Sequence, residues 1–128
     1  MKLLLDTHLL LWASEGSARL SANARKLIAS PVNELVFSVV SIWEIAIKQG
    51  KGHLDFRADP SLIRSSVLQN GYSELNVLGH HAVVVSSLPP IHKDPFDRLL
   101  IAQAMVEGIT LLTADATIAR YPGPIKKV

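Results

Sequence analysis

Short apolar runs alternate along this chain with segments carrying helix-start and helix-stop residues, and that alternation limits the fold more than any other feature. Leu3–Leu5 and Leu35–Ser38 read as buried strands, Glu74–Val77 as a short one, and Ile109–Thr113 as a fourth. Ile125–Val128 reads as a short edge strand. Between them, Leu9–Trp12 continues into a helical turn, and Ser21 caps a helix that Pro31 ends. Ser41 is the expected cap of a helix reaching about Gln49, with Gly50 as its stop. Asp59 and Pro60 open a helix to Gln69, which the Asn70-Gly71 turn follows. Gly79–Ser87 is the next expected helix, 88–95 the one irregular loop, Phe96–Glu107 a helix stopped by Gly108, and Ala116–Arg120 a helical turn. Strands that alternate with helices predict an α/β fold, a mainly parallel sheet covered on both faces.

Four acids stand at the ends of these elements. Asp6 closes the first strand, Asp115 follows the fourth by one residue, Glu44 lies in the helix after the second, and Asp97 opens a helix. In an open parallel sheet, ligands bind beyond the carboxyl ends of the strands, where these acids would gather. Clustered carboxylates repel one another, and a hard divalent cation with oxygen ligands, Mg²⁺ or Mn²⁺, relieves that repulsion. Such a site suits hydrolysis of a phosphodiester by activated water, with a second ion about 4 Å away on the leaving oxygen.

Each acid also has a plainer reading. Asp6 can cap the segment after strand one, Asp115 the helical turn after strand four, and Glu44 can pair with Lys48 one turn on. Asp97 can complement its helix dipole with Arg98 as partner, and Asp94 can cap that same helix. Any one acid is weak evidence; four at corresponding ends are stronger. Thr7 and Thr113 can hydrogen-bond the carboxylates or serve as turn residues. His8 can meet substrate or simply pack; Lys48, Lys51, Arg98 and His92 can contact phosphate groups, although Lys51 reads better as a solvated residue.

Composition removes several classes. With no cysteine, disulfides, thiolate zinc sites and cysteine nucleophiles are excluded, which is compatible with a cytoplasmic protein. The five histidines lack zinc-ligand spacing, and no glycine-rich phosphate loop is present. No apolar run approaches the roughly 18 residues needed to span a membrane, and Asp6 interrupts the N-terminal run too early for a signal peptide. A net charge of +2 permits an anionic partner without requiring one. At 128 residues and 48% hydrophobic, with no linker or repeat, residues 1–128 read as a single domain with a real core.

Leu-Leu-Leu-Asp6-Thr7-His8, Ser41-x-x-Glu44-Ile45, Asp94-Pro95-Phe96-Asp97-Arg98-Leu99-Leu100 and Thr113-x-Asp115 together resemble the acidic signature of PIN domains, and most closely the VapC-type toxins of bacterial type II toxin–antitoxin modules. The resemblance runs from about Lys2 to Tyr121. It implies a three-layer α/β/α sandwich and an endoribonuclease dependent on Mg²⁺ or Mn²⁺. Asp6, Glu44 and Asp97 would be the core metal ligands, Asp115 a fourth acid acting through water, and Thr113 the hydroxyl residue near the site. Asp94 is an extra acid, read as a cap rather than a ligand. The resemblance further implies an RNA substrate, a homodimer, and an antitoxin that covers the site with a basic side chain.

Three other functions compete. Phosphoryl transfer through Asp6 would want a second acid two residues on, where His8 stands, and a receiver-like switch lacks its strand-end lysine. A non-catalytic binding module would have no use for four intact acids that destabilise the fold.

Overall fold

The computed structural model describes all 128 residues. In chain order the elements are β1 (Lys2–Leu5), α1 (Thr7–Glu15), α2 (Ala22–Ala29), β2 (Glu34–Ser38), α3 (Val39–Gly50), α4 (Pro60–Gln69), β3 (Ser73–Leu75), α5 (Gly79–Val85), α6 (Pro95–Glu107), β4 (Thr110–Thr113), a 3₁₀ turn (Ile118–Arg120) and β5 (Ile125–Lys127). The five strands form one sheet in the order β3-β2-β1-β4-β5. Every pairing is parallel, so the sheet is wholly rather than mainly so.

The period-2 alternation of strands divides the apolar residues between two layers. Leu4 is in register with Val36 and Leu111, and all three face a cluster that includes Leu100, Ile101 and Ala104 of α6. Leu3, Leu5, Phe37 and Leu112 point the other way, onto Leu9 and Leu10 of α1, Ala24 of α2 and Val67 of α4. Helices therefore cover both faces, giving the three-layer α/β/α sandwich. Helix α3 packs against α1, α4 and α6, bridging the layers. No helix is long and apolar enough to cross a membrane.

Two helix starts differ from the expectations above. The expected turn at Leu9–Trp12 is a full helix, because the Asp6 carboxylate caps the Leu9 N–H and Gly16, at φ 63°, closes the other end in the left-handed region. Ser38, not Ser41, caps α3 by accepting from the Val40 N–H. Val39-Val40 extends the apolar pattern of β2 and so masks the true start. Glu44 thus lies one turn deeper than first-turn placement would put it. The other expected caps, Ser21 and Asp59, hold, as does the Gly108 stop.

Candidate active site

Strand order reverses about β1: the chain passes to β2 and β3 on one side, then returns through α6 to β4 on the other. Such a reversal opens a crevice at the carboxyl ends of the two diverging strands. Asp6 leaves β1 there, only 4% exposed, and Thr113 ends β4 beside it, fully buried. The Thr113 hydroxyl donates to Asp6 Oδ2 at 2.5 Å and the Leu9 N–H donates to Oδ1 at 2.9 Å, so the rotamer is held from both sides. Burial pushes the Asp6 carboxyl above its ordinary range, against the pull of these two bonds and of His8, and the Asp115 charge adds to the rise.

Glu44 enters from α3, at 2% exposure. Thr7 donates to its Oε1 at 2.6 Å and also lies 2.9 Å from the Ser41 hydroxyl, so the expected cap residue is instead buried beneath the site. Lys48 Nζ meets Glu44 Oε2 at 2.5 Å, the i,i+4 pair that the sequence spacing allows. The same ammonium lies 4.8 Å from the Phe56 ring centroid and 5.8 Å from that of Phe96.

Asp97 projects from the first turn of α6. Its neighbour Arg98 is not its partner. The Arg98 guanidinium turns away to donate to the carbonyls of Val85, Leu88 and Pro89 and to the Tyr121 hydroxyl. His92 fills the role instead, with Nε2 at 2.8 Å from Asp97 Oδ2. The His92 backbone N–H donates to the Tyr121 hydroxyl at 2.7 Å, so Arg98 and Tyr121 together hold the loop that presents the imidazole. Nothing local in the sequence announces this pair, because the loop geometry rests on a tyrosine distant in the chain. Asp94 caps α6, its Oδ1 accepting from the N–H groups of Phe96 and Asp97. Asp97 is raised to about 7 by burial first and then by the charge of Asp94, with Glu44 and Asp6 contributing, while the His92 bond pulls the other way.

Asp115 is exposed on the rim and accepts from the Thr117 N–H at 2.7 Å, a cap for the turn after β4. Asp6, Glu44, Asp97, Asp115 and Asp94 all line one cleft of about 390 Å³, joined by His8, Trp12, Arg19, Lys48, Asp55 and His92. Thr7 and Thr113 lie beneath it; Arg98 and Lys51 are not among its lining residues. Within the cleft the tightest cluster is His92, Asp94 and Asp97, each offering a ligand atom within 4.8 Å of the others. The sequence points to the carboxylates of this wall and misses His92 as a member of that cluster.

A family model for the PIN domain matches residues 3–124. The chain belongs to the PIN domain family. Solved structures share the fold across their whole length. A chain of VapBC2 from Rickettsia felis, crystallised with a DNA fragment from the promoter, superposes with a TM-score of 0.71 at 16% identity, covering 99% of this chain and 98% of that one. VapBC from Salmonella typhimurium, also bound to DNA, gives 0.67 at 15% identity, with 99% and 98% coverage. VapC20 of Mycobacterium tuberculosis, a sarcin–ricin loop cleaving toxin, gives 0.61 at 18% identity, with 94% and 96% coverage. No curated protein sequence matches this PIN domain.

The donor set of this PIN domain fits a hard divalent cation. It consists of carboxylate oxygens and one imidazole, and Asp97 Oδ1, Asp94 Oδ2 and Asp115 Oδ2 have no hydrogen-bond partner within the protein. Burial and three neighbouring acids raise the pKa of Asp97, so its ionisation calls for a positive charge that the Lys48 ammonium, committed to Glu44, does not supply.

Proposed function

We propose that this PIN domain is an endoribonuclease, the toxin of a VapC-type toxin–antitoxin pair, which hydrolyses RNA phosphodiester bonds with the help of Mg²⁺ or Mn²⁺. The observation that carries the reading is the convergence of acids from four different elements on one cleft, with the pKa of Asp97 raised to about 7 by burial and then by neighbouring acids. Asp6, Glu44 and Asp97 would hold the ion, with Asp115 at the rim. Bound there, the ion would supply Lewis acidity toward the phosphodiester and lower the pKa of the attacking water.

The chain's own residues do the positioning. Thr113 and the Leu9 N–H fix Asp6, Thr7 fixes Glu44, and His92 holds one oxygen of Asp97, leaving the other open to the cleft. That pre-set geometry spares the carboxylates the entropy of ordering at the moment of binding. Lys48 offsets part of the negative charge until a cation replaces it. Asp6 is poorly placed as a covalent nucleophile, being almost wholly buried with both oxygens hydrogen-bonded.

Likeness to VapBC toxin–antitoxin structures supports a cognate antitoxin; the family resemblance implies that it covers the cleft with a basic side chain and that the toxin is a homodimer, and the absence of cysteine is compatible with the cytoplasm. The test is incubation of partner-free protein with structured and single-stranded RNA, in Mn²⁺ or in EDTA, beside Asp6→Asn. Cleavage that requires both the metal and Asp6 is the expected result. Equal inactivity of wild type and variant would leave the acids structural and make a binding module the better reading.

A further inference from the structure

One wall of the acidic cleft is aromatic, and the hydrolytic reading makes no use of it. His8 and Trp12 stand one turn apart on the same face of α1, which begins at the Asp6 cap. Their rings are 5.7 Å apart and tilted by 45°. Phe56, buried at 3% exposure, meets His8 edge-on at 5.4 Å and so backs the row from below. Trp12 is half-buried, packed on one side against the core layer under α1 while lining the cleft on the other. The Arg19 guanidinium lies 5.9 Å from its ring centroid, paired only loosely with exposed Asp55 at 3.5 Å.

A tryptophan partly anchored in the core and partly open to a polar cleft is a stacking surface at small entropic cost, here shared with the Arg19 guanidinium over the ring. Single-stranded nucleic acids are held in such grooves by bases on aromatic rings and phosphates on nearby cations. Trp12 lies six residues beyond Asp6, about 9 Å along the helix axis, which suits a nucleotide beside the scissile phosphate rather than the scissile phosphate itself.

We propose that Trp12 is a base-stacking subsite for an unpaired nucleotide flanking the cleavage point, with Arg19 as its phosphate or base-face cation and His8 as the inner edge of the platform. This rests on the ribonuclease reading for its substrate class and narrows that class to single-stranded RNA segments. A base still stacked within a duplex would not reach the ring.

The test uses a single-stranded RNA of about eight nucleotides and a set of the same RNA with one abasic position each. Affinity of every variant is read in Ca²⁺ by fluorescence polarisation of an end-labelled RNA, contact with Trp12 by quenching of its emission in a Trp43→Phe background, which leaves one tryptophan, and cleavage is followed separately in Mn²⁺. Quenching on binding is expected, with one abasic position weakening affinity about tenfold. Trp12→Ala should lose a similar factor and then be indifferent to that abasic position, whereas Trp12→Phe should recover most of the affinity. The proposal is overturned if every abasic RNA binds as tightly as the intact one, if no quenching or binding occurs, or if Trp12→Ala keeps the abasic sensitivity. The abasic series needs no change at Trp12, so its answer stands even if Trp12→Ala fails to fold. Base-dependent quenching without Mn²⁺-dependent cleavage would sink the ribonuclease reading and keep the subsite; cleavage without base dependence would do the reverse.

Discussion

Helix α6 carries a histidine–carboxylate pair near each end, His92–Asp97 at its first turn and His81–Glu107 at its last residue, both at 2.8 Å. They are built for opposite purposes. His81 is fully buried, and its Nδ1 accepts from the Leu78 N–H at 3.0 Å, so Nε2 carries the proton and donates to Glu107. Every polar atom of that ring is used, and the pair ties α5 to α6. His92 is a quarter exposed, its Nδ1 has no partner within the protein, and its carboxylate faces three further acids. Distance alone does not separate a structural pair from a functional one. The separating feature is uncompensated like charge around the carboxylate, which costs stability and which the proposed cation would relieve.

The largest expected effect is at the open pair. Asp97→Asn should lower RNA cleavage by about a thousandfold or more, while the metal-free protein becomes no less stable. Because the folded Asp97 holds its proton up to about 7, well above its ordinary range, the folded state binds more protons than the unfolded one between those limits. Stability of the metal-free wild type should therefore fall as pH rises from about 4 to 7. Melting curves across that range should show the slope in wild type and a shallower one in Asp97→Asn, where the raised Asp6 carboxyl still contributes.

The closed pair should behave in the reverse way. His81→Ala leaves a cavity and an unpaired Leu78 N–H, at a cost of about 2–4 kcal/mol in chemical unfolding. Its cleavage rate per folded molecule should stay near that of wild type. Arg98→Ala should cost about 2 kcal/mol, because four hydrogen bonds into the α5–α6 loop and Tyr121 are lost. A modest fall in cleavage should follow, since that loop carries His92.

Lys48→Met sharpens the comparison from inside the cleft. Removing the ammonium strands the Glu44 charge, so metal-free stability near neutral pH should drop by about 1–2 kcal/mol. Mn²⁺ should then raise the melting temperature of this variant more than that of wild type. The smallest effect is expected for Asp94→Asn. Asparagine still caps α6, so stability should change by only a few tenths of a kcal/mol. The Asp97 carboxyl, followed by carbon NMR, should titrate closer to its ordinary range.

The sheet, its parallel character and most helix limits are legible in the sequence because they follow from local patterns: period-2 apolar runs, caps such as Ser21 and Asp59, and the stop at Gly108. Asp6, Asp97 and Asp115 are legible for the same reason, each standing at the end of an element, and Glu44 stands out as an acid on an apolar helix. Ser38 was masked by the apolar Val39-Val40 that follows it. Gln103 escaped notice although it is fully buried, because its partners, the Ser38 hydroxyl at 2.6 Å and the Asn76 carbonyl at 3.3 Å, are brought to it only by the fold. Trp12 belongs to that group as well, and so does the pairing of His92 with Asp97, though not His92 itself. Their neighbours in the cleft come from other elements, and nothing in their own flanking residues marks these contacts.

The central claim is that the cleft acids are gathered at a cost in stability that a divalent cation removes. Thermal unfolding of wild type and Asp97→Asn at pH 8, with and without Mn²⁺, tests it most directly. The metal-free variant should melt at or above the metal-free wild type, and Mn²⁺ should stabilise wild type far more than the variant. A variant that melts well below wild type, with Mn²⁺ moving neither, would mean that Asp97 is a structural partner of His92 and that the cleft holds no cation.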